Sequence, residues 1–325
     1  MDIQVFSDEL IAYGRRHGMQ DLSIHPYKEQ ARISFRKSQQ KTPYKMVPYE
    51  SAQQLIARFK YLGEMDVGER RKVQLGAITY QTATFKQRLR LSTVGDYQLR
   101  ESLVARFLYE YHHQGIRYFL PEQFELIAQN TQKRGLYLFS GPTGSGKTTL
   151  MYRLAQQEAG QVITIEDPVE IEEPTFLQLQ TNPKISQTYD QLIQLSLRHR
   201  PDVLIIGEIR DQETAQAAIR AALTGHKVFA TIHARGVNET HARIKDLVGD
   251  DSELQNCLEG IIYQQLLTDQ ASQAQALAAY TFIGHQLKKE CFSWQEGLAT
   301  LLAQGVISDE LYQKESRSSE TPTIY

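Results

Sequence analysis

The spacing of apolar and polar residues predicts a small mixed domain at the start of the chain. Residues 31–36 alternate between apolar and polar side chains, which is typical of a strand. Apolar residues recur every three or four positions over residues 52–62, which predicts a helix. Residues 77–85 and 88–92 are further predicted strands. Residues 1–110 are therefore expected to form an α+β domain.

Strand and helix patterns alternate in the second part of the chain. Short apolar runs, which predict buried strands, are separated by segments with helical spacing. The predicted strands are residues 136–139, 162–165, 203–206 and 228–232. This alternation predicts an α/β domain over residues 121–311, with a mostly parallel sheet and helices on both faces.

The ends of this second domain are predicted from proline, polarity and helical spacing. Pro121 suits the first turn of a helix, so residues 111–120 are expected to link the two domains. From about residue 276 to residue 311 the spacing indicates C-terminal helices. The polar segment 312–325 is expected to be a disordered tail.

Composition narrows the class of protein. The chain has 325 residues, 41% of them hydrophobic, and no apolar run approaches the roughly 18 residues of a membrane span, so a cytosolic globular protein is expected. Cys257 and Cys291 are the only cysteines, which excludes a disulfide framework and a four-cysteine zinc site. Residues 1–100 carry 17 Lys and Arg against 10 Asp and Glu, and the remainder is acidic. A basic surface of this kind is solvated, or faces nucleic acid, lipid or a partner's phosphates.

Residues 141–148 read Gly-Pro-Thr-Gly-Ser-Gly-Lys-Thr, the G-x-x-x-x-G-K-T pattern of a phosphate-binding loop, between a predicted strand and a predicted helix. Glycines allow successive backbone N–H groups to turn towards phosphates, and the helix adds the positive end of its dipole. Lys147 is expected to reach the β and γ phosphates and Thr148 to coordinate Mg²⁺. The loop thus predicts ATP and Mg²⁺ as ligands. The expected phosphate-binding residues are Gly141, Pro142, Thr143, Gly144, Ser145, Gly146, Lys147, Thr148 and Thr149.

Acidic residues follow two further predicted strands. Glu166 and Asp167 end one of them, and Glu208 follows another after Gly207. If these strands neighbour the strand before the loop, the carboxylates converge on Mg²⁺ and the γ-phosphate. Gly207 stands where an Asp usually holds the metal's water, so Glu166 or Asp167 is expected to take that role, and Glu208 to polarise the attacking water. The alternative is that these acids cap helices or form surface pairs.

Two histidines flank the predicted strand 228–232. His226 and His233 are expected to sense or contact the γ-phosphate at one end of the sheet. The alternative is a structural role, which is the more common one for a single histidine.

Together these segments resemble the secretion and pilus-assembly ATPases, the superfamily of type II secretion ATPases and type IV pilus extension and retraction motors. Residues 141–149 are similar to its nucleotide loop, residues 165–170 to its Asp box, residues 204–211 to its variant Walker B motif, and residues 224–233 to its His box. The chain is expected to lack the additional N-terminal domain and the C-x-x-C zinc insertion of the larger members. Its short build resembles the Gram-positive competence pilus ATPase.

The resemblance implies a RecA-like P-loop ATPase domain preceded by a PAS-like domain, the second N-terminal domain of these motors. In that family, arginines of the PAS-like domain reach the nucleotide, often across a subunit boundary in a hexameric ring. Arg88, Arg90 and Arg100 are the candidates here. The implied partners are other copies of the chain, a polytopic membrane platform protein and, indirectly, pilin-like subunits, with no zinc and no direct nucleic acid. The implied location is the cytoplasm, peripheral at the inner face of the membrane.

Four functions follow as hypotheses. The preferred one is an ATP-hydrolysing hexameric motor that assembles a competence pilus for DNA uptake. A second is a pilus-retraction or type II secretion ATPase of the same superfamily. A third, suggested by the basic first part, is a DNA-translocating P-loop ATPase. The fourth is a nucleotide-gated scaffold with little turnover, suggested by Gly207 in place of an Asp.

Overall fold

The chain folds into two compact units, Met1–Tyr111 and His112–Tyr325. The computed structural model describes residues 2–37, 40–109, 116–182, 185, 187–249, 252–271, 273–283 and 290–318. Within this part of the chain, no helix is long and apolar enough to cross a membrane.

The first unit is a six-stranded antiparallel sheet with two helices packed on one face, in the strand order β3-β2-β1-β6-β5-β4. Alternate residues of each strand, such as Leu22 and Ile24, join Leu10 and Phe59 of the helices in one core. Its elements are α1 (Ile3–Arg16), β1 (Asp21–Tyr27), β2 (Gln30–Lys37), β3 (Gln40–Pro48), α2 (Tyr49–Leu62), β4 (Gln74–Gln81), β5 (Lys86–Gly95) and β6 (Glu101–Leu108).

The second unit is built on an eight-stranded sheet in the order β14-β13-β12-β7-β11-β10-β8-β9. The pairs from β12 to β9 are parallel, and β13 and β14 add antiparallel strands at the other end. Its elements are α3 (Glu122–Asn130), β7 (Gly135–Ser140), α4 (Lys147–Ala155), β8 (Val162–Glu166), β9 (Leu177–Gln180), α5 (Tyr189–Arg198), β10 (Val203–Ile206), α6 (Gln212–Leu223), β11 (Lys227–Thr231), α7 (Val237–Val248), α8 (Ser252–Cys257), β12 (Leu258–Thr268), β13 (Ala274–Phe282), β14 (Glu290–Phe292), α9 (Trp294–Ala303) and α10 (Asp309–Ser318).

Helices cover both faces of the larger sheet. Strands β7, β8, β10 and β11 are buried at every residue, because α5 to α8 pack on one face and α3 and α4 on the other. Strands covered on both sides are apolar throughout rather than alternating, which is why the sequence pattern locates them. Their carboxyl ends meet at one edge of the sheet, where ligands of such folds bind.

The region expected to be helical from about residue 276 contains strands, so that prediction is wrong for β13 and β14. Strand β13 has an Ala-rich sequence that favours a helix in isolation. It nevertheless pairs with β12 from Ala274 to Phe282 and is buried from Ala276 to Tyr280. Tertiary packing therefore overrides the local preference. Helix α9 lies within the region expected to be helical. Helix α10 begins in that region and continues beyond residue 311 to Ser318.

The expected disordered tail also differs from the structure. Residues 312–318 continue helix α10, and residues 319–325 lie outside the described residues. Helix α10 is held by packing: Tyr312 lies against the core around Trp294, and the buried Glu315 accepts a hydrogen bond from Gln265 Nε2 at 2.9 Å. Polar composition alone does not reveal these contacts.

The expected linker is divided in the same way. Residues 111–115 lie outside the described residues, whereas residues 116–120 are part of the second unit. The backbone N–H of Phe119 donates to Ala276 O on β13 at 3.0 Å, and Ala276 N–H donates to Arg117 O at 2.8 Å. This segment therefore joins the second unit as a short strand-like addition.

Candidate nucleotide site

The predicted phosphate-binding loop joins the carboxyl end of β7 to the first residue of α4. Gly141, Gly144 and Gly146 have φ angles of +136°, +78° and +84°, a region that favours glycine. Space is limited as well, because a Cβ atom at Gly141 would lie 2.0 Å from the carbonyl oxygen of Gln264. The loop is thus a tight turn that ends at a helix N-terminus, where backbone N–H groups lack intrahelical partners and bind anions.

A buried side-chain amide on β12 hydrogen-bonds to the loop. Gln264 on β12 is 1% exposed, and its Nε2 donates to the carbonyl oxygen of Ser145 at 2.7 Å. Its Oε1 accepts a hydrogen bond of 2.5 Å from the Tyr118 hydroxyl. The loop backbone is therefore held in place by neighbouring elements as well as by its own glycines.

Lys147 lies across the loop as its sequence pattern predicts. Its Nζ donates to the carbonyl oxygens of Gly141 and Pro142, each at 2.9 Å. Burial lowers the pKa of Lys147, and the charges of Glu208 and Glu170 oppose that shift. The lysine is thus a cation placed over the loop and within the field of two carboxylates, the position from which a point charge stabilises phosphates. Thr148 follows it in the first turn of α4.

Glu208 follows β10 at the carboxyl edge of the sheet, where its charge acts on Lys147, and its side chain is 15% exposed. Its Oε1 is 3.0 Å from His233 Nε2, and its Oε2 accepts a hydrogen bond of 2.6 Å from Arg210 Nε. Arg210 NH1 is in turn 3.7 Å from Asp167 Oδ2. The structure thus brings three of the predicted residues, Glu208, His233 and Asp167, into one cluster around Arg210.

Glu166 has different surroundings although it ends a neighbouring strand. It is 4% exposed, and its Oε1 accepts hydrogen bonds from the Tyr152 hydroxyl at 2.5 Å and from Thr164 Oγ1 at 2.6 Å. Burial raises the pKa of Glu166, and these hydrogen bonds oppose the shift. Gln178 Nε2 donates to the Tyr152 hydroxyl at 2.7 Å. The two acids considered as metal ligands thus differ. Glu166 is buried and hydrogen-bonded to its neighbours, whereas the Asp167 side chain is 40% exposed.

The structure explains the glycine at position 207. A Cβ atom there would lie 3.1 Å from Ile165 O, 3.2 Å from the Cα of Glu166 and 3.2 Å from the hydroxyl of Tyr189. A side chain at this position would require these neighbours to shift by a few tenths of an ångström. The carboxylates that the described chain does place at this edge are those of Glu166, Asp167 and Glu208.

The structure does not bring His226 to the loop. His226 precedes β11, and its backbone oxygen accepts from the N–H of Gly135, at the amino end of β7. Its ring Nδ1 lies 3.2 Å from both Ala221 O and Thr224 Oγ1. His233 follows the other end of β11, and five strand residues at about 3.3 Å each separate the two edges. The expectation that both histidines lie at one end of the sheet is therefore corrected: only His233 lies at the loop edge.

The candidate arginines of the first unit differ in their surroundings. Arg88 and Arg90 lie on β5, two residues apart and so on one face of the sheet. Arg100 is held within the unit: its NH2 is 2.9 Å from Asp96 Oδ2, and its NH1 donates to Lys28 O at 3.1 Å. The Arg100 side chain is thus engaged by groups within the first unit.

The site residues fit Mg²⁺ bound together with phosphates. The described part of the chain contains no group of three or more His, Cys, Asp or Glu placed to hold a metal ion. Mg²⁺ is usually held by one or two carboxylates, water and substrate phosphates rather than by a cage of protein ligands. The hydroxyl of Thr148 and the carboxylate of Asp167 or Glu166 would be the protein's ligands to the ion or to its bound water.

A cavity of about 550 Å³ opens beside the loop. Its lining comes from the loop, from the segment after β11, from β12 and from α10: Gly141, Pro142, Thr143, His233, Ala234, Arg235, Tyr263, Gln265 and Glu315. His233 lines this cavity together with the first residues of the loop, so there is open space beside the loop at this edge of the sheet.

Sequence reasoning missed four residues of the site. Tyr118, Tyr152 and Gln264 act through buried hydrogen bonds, and Arg210 joins the acidic cluster. A polar Gln264 within an apolar strand was the available signal, because buried polar residues need partners.

Comparison with known proteins identifies the family to which the chain belongs. The model of the type II/IV secretion system protein family matches residues 3–309. Competence protein ComGA of Streptococcus pneumoniae is 42% identical over 308 residues, which cover 94% of this chain and 96% of that protein. The type IV pilus assembly ATPase TfpB of Acinetobacter baylyi is 34% identical over 270 residues, which cover 80% of this chain but 46% of that longer protein.

A solved structure shares the fold. The Legionella pneumophila ATPase DotB superposes with a TM-score of 0.77 at 18% identity, covering 97% of this chain and 96% of that chain. The resemblance first drawn from the loop, Asp-box, Walker B and His-box motifs is thus confirmed. The chain belongs to the type II/IV secretion system protein family, the family of the secretion and pilus-assembly ATPases.

Proposed function

We propose that the chain binds ATP with Mg²⁺ in the loop of residues 141–149, hydrolyses it, and uses the energy to drive assembly of a pilus. The observation that carries the proposal is the cluster beside Lys147, in which Glu208 is fixed by His233 at 3.0 Å and by Arg210 at 2.6 Å. A carboxylate held in this way at the loop edge suits the orientation of a water for attack on a terminal phosphate.

Each residue has a distinct role in this proposal. Lys147 and the first turn of α4 neutralise the phosphates, and Thr148 contributes its hydroxyl to the metal. Bound Mg²⁺ would supply charge stabilisation to the phosphate oxygens. Glu208 accepts a proton from the attacking water, while His233 and Arg210 fix its orientation. Asp167 or Glu166 orients the water ligands of the metal.

The mechanical part of the proposal rests on family membership. We propose a homo-hexamer in which the first unit is the PAS-like domain, and in which hydrolysis moves the subunits in turn against a membrane platform protein. The similarity to a competence protein over nearly the whole chain favours a pilus that takes up DNA. A retraction or type II secretion motor is the alternative within the same family.

Exchange of the loop lysine tests the binding step. Lys147→Ala is expected to weaken ATP affinity by at least about tenfold, because a charged partner of the phosphates is lost. Lys133→Ala is the matched control, since the exposed Lys133 lies just before the amino end of the same strand, β7. Titration with a fluorescent ATP analogue measures the affinity of each variant. Equal affinity in the two variants would contradict the loop as the site.

Deletion of the gene tests the biological role. Loss of surface pili and of DNA uptake, with normal protein secretion, is the expected result. Loss of secretion with normal pili would favour the type II secretion alternative.

One observation favours DNA translocation as a second candidate. A row of basic residues crosses the sheet of the first unit on neighbouring strands, as the strand register places Arg90, Arg106, Arg36 and Lys41 in line, with Asp21 among them. Such a row suits a phosphate backbone. This candidate predicts DNA affinity that falls steeply with salt, and ATP turnover that rises when DNA is added. The absence of both effects would exclude it.

A further inference from the structure

The segment that leads into the second unit is connected to the phosphate loop by side chains. Residues 117–119 pair with Ala276 of β13 through backbone hydrogen bonds. Tyr118 of this segment is buried, and its hydroxyl donates to Gln264 Oε1 at 2.5 Å. The other end of the same amide, Gln264 Nε2, donates to the carbonyl oxygen of Ser145 in the loop at 2.7 Å.

The orientation of this amide is fixed by its partners. The Ser145 carbonyl oxygen can only accept, so the NH₂ group of Gln264 must face it, and the amide oxygen therefore faces the Tyr118 hydroxyl. Gln264 is 1% exposed, so water does not replace either partner readily. Movement of Ser145 would therefore break its hydrogen bond with Gln264 unless Gln264 moves too, and movement of Gln264 would in turn act on its hydrogen bond with the Tyr118 hydroxyl.

A second contact joins the same two regions. A Cβ atom at Gly146 would lie 2.2 Å from Ile116 Cδ1, so the side chain of Ile116 rests directly on the residue that precedes α4. Arg153, further along α4, donates from NH1 to the backbone oxygen of Ile116 at 3.4 Å. The segment therefore contacts the loop and its helix directly at two places, in addition to the indirect link through Gln264.

We propose that Tyr118 is a positioning residue which, through Gln264, couples the phosphate-loop carbonyl of Ser145 to the chain segment 116–120. The inference rests on the proposed function, in which the loop holds ATP. Occupancy of the loop then stabilises the docked segment. Because such coupling is reciprocal, the docked segment must tighten nucleotide binding by the same factor.

Hydrogen exchange of the segment measures the coupling directly. The backbone N–H of Phe119 is bonded to Ala276 O, so its exchange reports whether the segment is docked. In the full-length protein, saturating Mg²⁺ and a non-hydrolysable ATP analogue are expected to slow exchange in peptides containing residues 116–120 by about five- to tenfold. In Tyr118→Phe this slowing is expected to be lost.

Reciprocity gives a second, quantitative readout. Tyr118→Phe is expected to weaken affinity for the same analogue by about five- to tenfold, the factor by which the analogue slows exchange in the wild type. A structural role alone gives no reason for these two factors to agree. Gln264→Met keeps the length of the side chain but removes both of its polar atoms. It is expected to lose the slowing of exchange and to weaken affinity for the analogue, as Tyr118→Phe does. It is used in place of Tyr118→Phe if the Tyr118→Phe protein does not fold.

The control is another buried tyrosine. Tyr137→Phe removes a hydroxyl that donates to Lys133 O, near the amino end of β7, and should leave both factors unchanged. The coupling is overturned if the wild type binds the analogue without slower exchange at 116–120, or if Tyr118→Phe keeps the full slowing. Failure of the wild type to bind the analogue at all would instead overturn the proposed function.

Discussion

At the level of single residues, the two glutamates at the sheet edge have opposite environments. Glu166 is buried, which raises its pKa, although the hydrogen bonds that it accepts from neutral groups oppose the shift. Glu208 is partly open and is bonded to Arg210 and His233. Groups whose surroundings differ in this way take different roles in a site. This contrast supports the proposal that Glu208 activates the water and that Glu166 has a supporting role.

The two cysteines are expected to differ in their reactivity towards thiol reagents. Burial, with smaller contributions from Glu253 and Glu259, raises the pKa of Cys257 to about 12, whereas Cys291 is exposed. Since the thiolate is the reactive form, a thiol reagent at neutral pH should label one cysteine per native chain and two in denaturant. Cys291→Ser should abolish native labelling. Native labelling of Cys257 in that variant would contradict the burial.

At the level of elements, the glycines of the loop differ in how much space is available for a side chain. Gly144 and Gly141 both have positive φ, but a Cβ atom has no neighbour within 4 Å at Gly144 and meets Gln264 O at 2.0 Å at Gly141. Gly144→Ala is therefore expected to cost about 1–2 kcal/mol of unfolding free energy, from backbone strain alone. Gly141→Ala is expected to cost clearly more. Urea unfolding of the two variants measures the difference, and equal costs would contradict the close approach of β12.

Elements differ in how far the sequence predicts them. The buried strands β7, β8, β10 and β11 are predictable because they are short apolar runs between turn and helix signals. Strand β13 is not, since its alanines favour a helix and only its pairing with β12 makes it a strand. Within the site, the loop and Glu208 are visible as motifs. The support from Tyr118 and Gln264 is not, because residues far apart in sequence meet only in the fold.

At the level of the whole molecule, the family suggests that subunits share nucleotide sites. We expect mixtures of Arg90→Ala and Lys147→Ala subunits to regain part of the ATPase activity that each variant lacks, because an intact Arg90 of one subunit can serve the intact loop of another. Arg16→Ala is the control, since Arg16 is exposed at the end of α1 and is not one of the candidate arginines. No recovery at any ratio would indicate self-contained sites.

The central claim is that Glu208 activates water for ATP hydrolysis beside Lys147. It is tested most directly by ATP binding and turnover of Glu208→Gln, with Glu213→Gln on the exposed first turn of α6 as the matched control. Glu208→Gln is expected to bind ATP as the wild type does, with turnover reduced about 10²- to 10⁴-fold, and the control is expected to be unaffected. Turnover of Glu208→Gln at the wild-type rate would contradict it.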